Sequence, residues 1–449
     1  MKTVVEQPTT PWQAGPISRK LHAEEQTYMT PGLQQIATFS QLVLERGERA
    51  TLYDADGRSY LDFVAGVCVA SIGHGHPVFA KMLSEQAERL SVGSFTTKNR
   101  VEFLRRVVQH TPKGLDRVQL YSSGAEAVEA AVRLAKSHTK NFEVLSFWGG
   151  FHGKTGGILG LMGSDFKHYL GPISPGLYLT PYPNPYRNVF GIHDPEELAA
   201  RCLEFMREKI KMETSNRLAA IILEPVQGTA GNILPPPGFL KAVRDIAHEH
   251  GALLIADEMI TGFGRTGHWF GVDHDGVVPD IMTVGKGVAG GFPVSGIITT
   301  AEIAQAKPFA NPSGSSSSYG GNPLASAACN ASLKILEDER LVENSRKVGA
   351  AMLSRLKKTM DRFPFIGDVR GRGLMLGVEF VEDRKTRKPL RKEACRAIFD
   401  ECLKRGLITM SYSPALRINP PLNIREDEAM RGIDILEESL EVVQKRFSL

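Results

Sequence analysis

Three short apolar runs constrain this chain more than anything else in it. Between residues 219 and 286 lie AAIILEP, ALLIADE and DIMTVGKG, each rich in branched aliphatic residues and each ending abruptly in a polar or charged one. Runs of that length, bounded by Gly and Pro and separated by a helix-length segment, read as strands of a parallel sheet buried on both faces. Their polar ends, Glu224, Asp257 and Lys286, then fall together at the carboxyl edge of the sheet, where open α/β sheets bind ligands. An acid and a lysine converging there require a chemical reason.

The 449 residues are enough for two domains, and 42% hydrophobic with 23% charged residues is the composition of a globular protein. The net charge of +4 comes from 54 basic against 50 acidic side chains dispersed along the chain, which gives no electrostatic footprint for nucleic acid. The densest basic run, residues 384–391, contains Pro389 and reads as a solvated loop. Five cysteines, an odd number without metal or redox spacing, point to a reducing compartment and to no metal. No apolar run reaches membrane-spanning length and the N-terminus lacks a signal-peptide pattern, so a cytoplasmic protein is expected.

Residues 1–31 are polar and punctuated by Pro, an arm with one short helix near residues 20–28. Residues 41–63 carry two strand-like pieces with turn signals, a small antiparallel meander. Residues 65–77 form a Gly-rich connector; His74 and His76 have no carboxylate or Cys at ligand spacing and read as loop packing. In RVQLYSSGAEAVEAAVRLAKSHT a strand ends at Tyr121 and a helix begins after Ser123. Free N–H groups and the positive end of the helix dipole there make an anion site; a helix capped by Ser122 or Ser123, with Glu126 completing a capping box, explains the same residues. The loop WGGFHGKTGG lets a flat group approach the backbone beside Phe151 and His152.

Residues 238–251 form an amphipathic crossover helix with Phe239, Leu240, Val243, Ile246 and Ala247 on one side and Gly251 as its stop. The match of GFGRTG to the dinucleotide fingerprint is rejected, because HWFGVDHDG beyond it has no helical period. After a Ser-rich stretch a helix follows at residues 324–337, then a C-terminal α+β unit with a helix, a strand at 369–381, a helix at 393–406, and strands near Leu407 and at 415–419. The domains expected are residues 1–70 as arm and part of a small domain, 71–335 as the large domain, and 336–449 as the small domain.

An anion cup, an aromatic-His loop, an aspartate at a buried strand end and a lysine beyond the next strand form one constellation. Burial lowers the pKa of a lysine and suits it to Schiff-base chemistry; a buried aspartate needs a cationic partner, and a protonated pyridine nitrogen is one. Pyridoxal phosphate asks for such a set. From about Gln41 onward the chain resembles the class III aminotransferases, pyridoxal-phosphate enzymes of fold type I. The resemblance rests on SGAEAVEAA (123–131), FHGKT (151–155), EPVQG (224–228), ADEMITGFGRTG (256–267), GKG (285–287), SYGGNPLA (318–325) and LRINPPL (416–422), in the family's order.

The resemblance implies an α/β fold with a mostly parallel seven-stranded sheet and a smaller α+β domain. It also implies that Lys286 carries pyridoxal 5'-phosphate and shuttles the proton, while Asp257 pairs with the ring nitrogen. Phe151 and Met259 would cover the two ring faces, His152 and Glu224 would support the cofactor, and Ser123, Gly124 and Ala125 would hold the phosphate. Ser318 would reach the phosphate of a neighbouring subunit, in a homodimer or tetramer with shared sites. Arg417 would clamp an acceptor carboxylate. Thr229 stands where enzymes of 4-aminobutyrate and ornithine carry a Glu that holds this arginine aside, Ile260 replaces a common Gln, and Lys154 replaces an Arg that grips the distal carboxylate of 2-oxoglutarate. These departures favour an amine or ω-amino acid donor with pyruvate as acceptor. The alternatives are a 4-aminobutyrate:2-oxoglutarate enzyme, an amino-acid or lactam racemase on the same scaffold, and a non-catalytic binding protein. Residues 67–71 and Phe95 are expected to shape the pocket.

Overall fold

The computed structural model describes residues 11–91 and 93–449, so the first ten residues of the expected arm lie outside it. Among the described residues the helices are α1 (Pro16–Glu25), α2 (Gln35–Ser40), α3 (Ala65–Cys68), α4 (Pro77–Ala87), α5 (Lys98–Val107), α6 (Gly124–Thr139), α7 (Pro195–Glu213), α8 (Phe239–Glu249), α9 (Pro323–Asp338), α10 (Leu341–Arg362), α11 (Lys392–Lys404) and α12 (Glu426–Phe447). None is long and apolar enough to cross a membrane.

The central sheet has seven strands: β4 (Arg117–Tyr121), β5 (Glu143–Phe147), β6 (Leu177–Thr180), β7 (Leu218–Leu223), β8 (Leu253–Asp257), β9 (Ile281–Val284) and β10 (Ser295–Thr299), in the order β4-β10-β9-β8-β7-β5-β6. The three founding runs are β7, β8 and β9, adjacent and parallel. Every residue of the three strands is buried, which is why their sequences lack the alternation of a half-exposed strand. Only β10 runs antiparallel, against both β4 and β9.

Helix α8 buries the five side chains read from its period. Gly251 follows its end with φ +64°, the left-handed conformation that a glycine adopts without a Cβ penalty. Beyond Arg265 and Thr266 no phosphate-binding helix forms: residues 258–270 are turns and Gly271–Asp275 is a single 3-10 turn. Glu258 fixes this loop, accepting from Thr261 Oγ1 and from the N–H groups of Gly271 and Val272, the last two at 2.8 and 2.9 Å. Burial pushes its carboxyl up to about 7 in spite of those donors.

The expected meander is three strands rather than two pieces, β1 (Leu44–Glu48), β2 (Thr51–Asp54) and β3 (Ser59–Asp62), and it gains a fourth from far along the chain, β14 (Leu407–Ile408), parallel to β3. The single strand expected at 369–381 is a hairpin, β11 (Ile366–Arg372) and β12 (Met375–Asp383). The turn lies inside RGRG, where Gly373 has φ +54°, and the apolar residues on either side hid it. Strands β13 (Lys388–Pro389) and β15 (Ala415–Ile418) pair with β12. The basic run of residues 384–391 lies around β13, with Arg391 paired to Glu382 and Arg384 donating to the carbonyl of Ile366.

That hairpin turn abuts α10 so closely that a Cβ on Gly349 would collide with the carbonyl of Gly373. Backbone cannot swing away as a side chain tip can. Gly349→Ala is therefore expected to lower stability by a net amount on the order of 1–2 kcal/mol, overpacking outweighing the ~1 kcal/mol of helix propensity that Ala gains over Gly. Denaturant unfolding of the two proteins measures it; an unchanged midpoint would show that the two elements separate freely.

Candidate active site

The carboxyl edge of the central sheet gathers the strand ends as expected. Asp257 closes β8, Glu224 follows β7, Lys286 follows β9, and the loop carrying Phe151 and His152 follows β5. The Asp257 side chain is buried and accepts from three donors. His152 Nδ1 lies 2.7 Å from Oδ2, while Thr283 Oγ1 donates to Oδ1 at 3.0 Å and the Met259 N–H at 3.2 Å. Three donors are what an ionised carboxylate away from water requires. Burial alone would push the His152 imidazole down, but the hydrogen bond and charge of Asp257, with Glu224 beyond, hold it above its ordinary 6.5. Its Nε2 is buried without a partner.

Glu224 joins two loops. Its carboxylate accepts the Phe151 N–H and the Gly228 N–H, both at 2.9 Å. Burial raises its pKa, the imidazole of His152 counters, and the charge of Asp257 adds to the rise. Tyr182, itself buried, donates its hydroxyl to the Glu224 carbonyl at 3.3 Å.

The capping reading of the α6 start holds. Ser123 Oγ accepts the Glu126 N–H and the Glu126 carboxylate accepts the N–H groups of Ser122 and Ser123, a complete capping box. Among the described residues the N–H groups of Gly124 and Ala125 are left without an acceptor, and those are the donors an anion would use. Met259 closes the space between this helix start and the lysine: a Cβ on Gly124 would lie 3.3 Å from its Sδ, and one on Gly285 only 2.5 Å. Gly153, at φ +122°, brings its loop so near Ala125 that an added Cβ would stand 2.8 Å from the Ala125 Cβ. Glycines at these three places hold the anion cup, the aromatic-His loop and the lysine together.

Lys286 has φ +42°, rare for a residue with a side chain, and its ammonium makes no hydrogen bond or ion pair among the described residues. Phe151 is half-buried, edge-on to Phe166. The Ser318 side chain is exposed. Arg417 sits on β15 opposite Gly377 of β12, its Nη2 3.3 Å from Met410 Sδ and no carboxylate paired with it. Thr229 is half-buried in the run of turns after Gly228. Lys154 stands apart from this cluster: it is exposed, with its ammonium 5.4 Å above the Phe166 ring.

Two contributors escaped the sequence reading, and a third, Cys68, lies within the residues 67–71 expected to shape the pocket. Thr283 and Ser295 are polar side chains inside otherwise apolar strands, the one on Asp257 and the other donating to the Ser123 carbonyl at 2.6 Å; a lone hydroxyl in a buried run was the available signal. Cys68 packs with Val226, Ile260 and Met375. It closes a left-handed turn in which Ala65, Gly66, Val67 and Cys68 have φ between +49° and +67°, a conformation no pattern of residues announced.

The family model described as Aminotransferase class-III matches residues 34–440. The chain belongs to the class III aminotransferases. It is 34% identical to the alanine/serine racemase of Pyrococcus horikoshii, over 95% of this chain and 91% of that protein, and 35% identical to a probable 4-aminobutyrate aminotransferase of Bacillus subtilis, over 88% and 92%. Among solved structures, an amine transaminase from an uncultivated Pseudomonas species, in its pyridoxal-phosphate-bound form, superposes with a TM-score of 0.85 at 31% identity, covering 93% of this chain and 98% of that one.

This class III aminotransferase is an enzyme that transfers amino groups and takes pyridoxal phosphate as its cofactor. Its residues fit the group: free N–H donors at the α6 start, a buried carboxylate ready to hold a ring N–H, an unpaired lysine amine, and no bulk at the glycines between them.

The His152–Asp257 contact carries a pH dependence. Because the folded-state pKa of His152 is raised, its contribution to stability is fully present below about 6.5 and is lost as pH rises through the folded value. The stability difference between the cofactor-free protein and its His152→Asn variant should shrink between pH 6 and pH 9; denaturant titrations at both pH values measure it, and a difference that grows would reverse the assignment.

Proposed function

We propose that this aminotransferase moves an amino group from a terminal amine or ω-amino acid to a 2-oxo acid, with pyruvate favoured over 2-oxoglutarate. The observation that carries the reading is Arg417, which has no carboxylate partner among the described residues. Thr229 stands where a glutamate would neutralise it, so the guanidinium is available to the carboxylate of an oxo acid. Lys154, held over Phe166, offers no second fork for a distal carboxylate. The amine transaminase among the similar structures supports the same donor class.

When bound, pyridoxal phosphate supplies an electron sink for negative charge at the substrate carbon. Asp257, fixed by His152 and Thr283, holds the proton on the ring nitrogen. The N–H groups of Gly124 and Ala125 hold the phosphate, with the Ser123 side chain already engaged in the cap. Phe151 and Met259 exclude water from the two faces. Lys286 Nζ would hold the cofactor and would serve as the base and acid for the proton at the substrate carbon that bears the nitrogen. Arg417 orients the oxo acid by its carboxylate, and Ser318 from the second copy of a homodimer completes the phosphate site. The cytoplasm is the location this reading assigns.

Incubation with a chiral terminal amine and pyruvate should yield alanine and the matching carbonyl compound. Racemisation of an amino acid without alanine formation would overturn the proposal in favour of the activity named for the Pyrococcus relative. Lys286→Ala should abolish turnover together with the visible absorption of lysine-bound cofactor. Arg417→Ala should lower kcat/KM for the oxo acid by about 10- to 100-fold, the worth of a lost charge-assisted hydrogen bond of roughly 1.5–3 kcal/mol, while single-turnover rates with an amine lacking a carboxylate stay within a few-fold. Equal losses in both half-reactions would show that Arg417 holds up the fold rather than the acceptor.

A further inference from the structure

Behind the loop that follows Asp257 lies an open cavity of about 270 Å³, where that loop meets α10 and the β11–β12 turn, its lining partly apolar and partly polar. Thr266, His268, His274, Arg346 and Arg372 line it. None of the five belongs to the site described above.

Its chemistry is donors without acceptors. Arg346 and Arg372 make no hydrogen bond or ion pair through their guanidinium groups among the described residues, in a chain where neighbouring arginines are paired: Arg355 to Glu437 and Arg370 to Glu379. The nearby carboxylates do not neutralise them. Glu343, one turn before Arg346, is paired with Arg340; Asp273 accepts the Phe270 N–H at 2.9 Å; and Asp275 forms no ion pair with either arginine. Thr266 is 2% exposed and its hydroxyl is buried without a partner. An unsatisfied buried hydroxyl is costly and uncommon.

The two imidazoles report the same imbalance. The His268 and His274 rings are 4.3 Å apart, and His274 Nε2 lies 3.2 Å from the Thr266 carbonyl. Burial, then the charge of Arg372, then His268 push His274 down to about 4. Asp273 lies within electrostatic reach of His268, while the two guanidinium groups keep no anionic partner among the described residues.

We propose that this cavity binds a doubly charged oxyanion, either inorganic phosphate or the phosphoryl group of a small phosphomonoester. Two unpaired guanidinium groups lining one cavity suit the charge of a phosphate dianion. The volume admits a phosphate or a short ester rather than a dinucleotide. The bound anion joins three elements. The Leu374 N–H already donates to the Arg265 carbonyl and Arg265 Nη1 to the Leu374 carbonyl, both at 3.0 Å, so the anion adds a clamp to an existing seam between the loop and the hairpin.

The test uses the holoenzyme, so that the cofactor occupies its own phosphate site, and titrates inorganic phosphate and, separately, glycerol phosphate against chloride at constant ionic strength. Histidine Cε1–H resonances and the thermal midpoint are followed. The His268 and His274 signals should move saturably, the His274 titration should rise from about 4 toward 6.5, and the midpoint should increase. Arg346→Gln, at an exposed position that tolerates substitution, should weaken binding about tenfold or more, and Arg372→Gln should do the same where it folds. Tighter binding of glycerol phosphate assigns the site to a phosphomonoester; equal binding assigns it to the free ion. Absence of saturable histidine shifts with either anion, or shifts unchanged in Arg346→Gln, would overturn the proposal.

Discussion

A carboxylate buried at the end of β8 sets the terms for everything around it. Asp257 cannot remain ionised away from water without donors, and the three it finds come from three separate pieces of chain: the loop after β5 through His152, strand β9 through Thr283, and its own following turn through Met259. Each donor brings a functional neighbour along. His152 carries Phe151, Thr283 lies three residues before Lys286, and Met259 lays its thioether between Gly124 and Gly285. Breaking such a contact leaves an uncompensated buried charge, which is far more damaging than the pair is stabilising. Glu224 repeats the device one strand over, where two backbone N–H groups tie the Phe151 loop to the turn at Gly228.

Strain concentrates where these constraints meet. Lys286 is held at positive φ, and so is the turn from Ala65 to Cys68. A left-handed conformation costs about 1–2 kcal/mol for each residue with a Cβ. What offsets it at the turn is another buried carboxylate: Asp62 accepts the N–H groups of Val64 and Ala65 at 2.8 and 2.9 Å and is itself held by His74 Nε2 at 2.8 Å. His74, read from the sequence as loop packing, is thus the support of a strained turn beside the site.

The parts legible in the sequence are those governed by local rules. The three apolar runs of the central sheet, the buried face of α8 and the capping box of α6 follow from burial, helical period and side-chain reach within four residues. What stayed hidden depends on partners distant along the chain. Nothing near Leu407 says that it will pair with Leu61, and nothing in SGIIT says that β10 will run against its neighbours. The β11–β12 hairpin was lost for a different reason: its apolar residues continue across the turn, and RGRG was the one break. In the site, the acid, the lysine and the aromatic-His loop could be named from chemistry, whereas Thr283 and Ser295 could not, because a single hydroxyl in a buried strand is interpretable only when its acceptor is known.

The substrate side of the pocket follows from what stands where a charge is missing. Ile260 leans over Gly228 so closely that a Cβ there would collide with its Cδ1, and it shares an apolar cluster with Cys68, Val226 and Met375. An apolar wall therefore begins directly beyond the Glu224 carboxylate and continues into the strained turn. On the other side Arg417 is cationic and unpaired, with Tyr412 near enough for the guanidinium charge to oppose the rise that burial imposes on its phenol. One wall rewards apolar surface and the other a carboxylate. The proposed choice of acceptor rests on that division, because a carboxylate set against Ile260 would have no partner and an unpaired buried charge costs several kcal/mol.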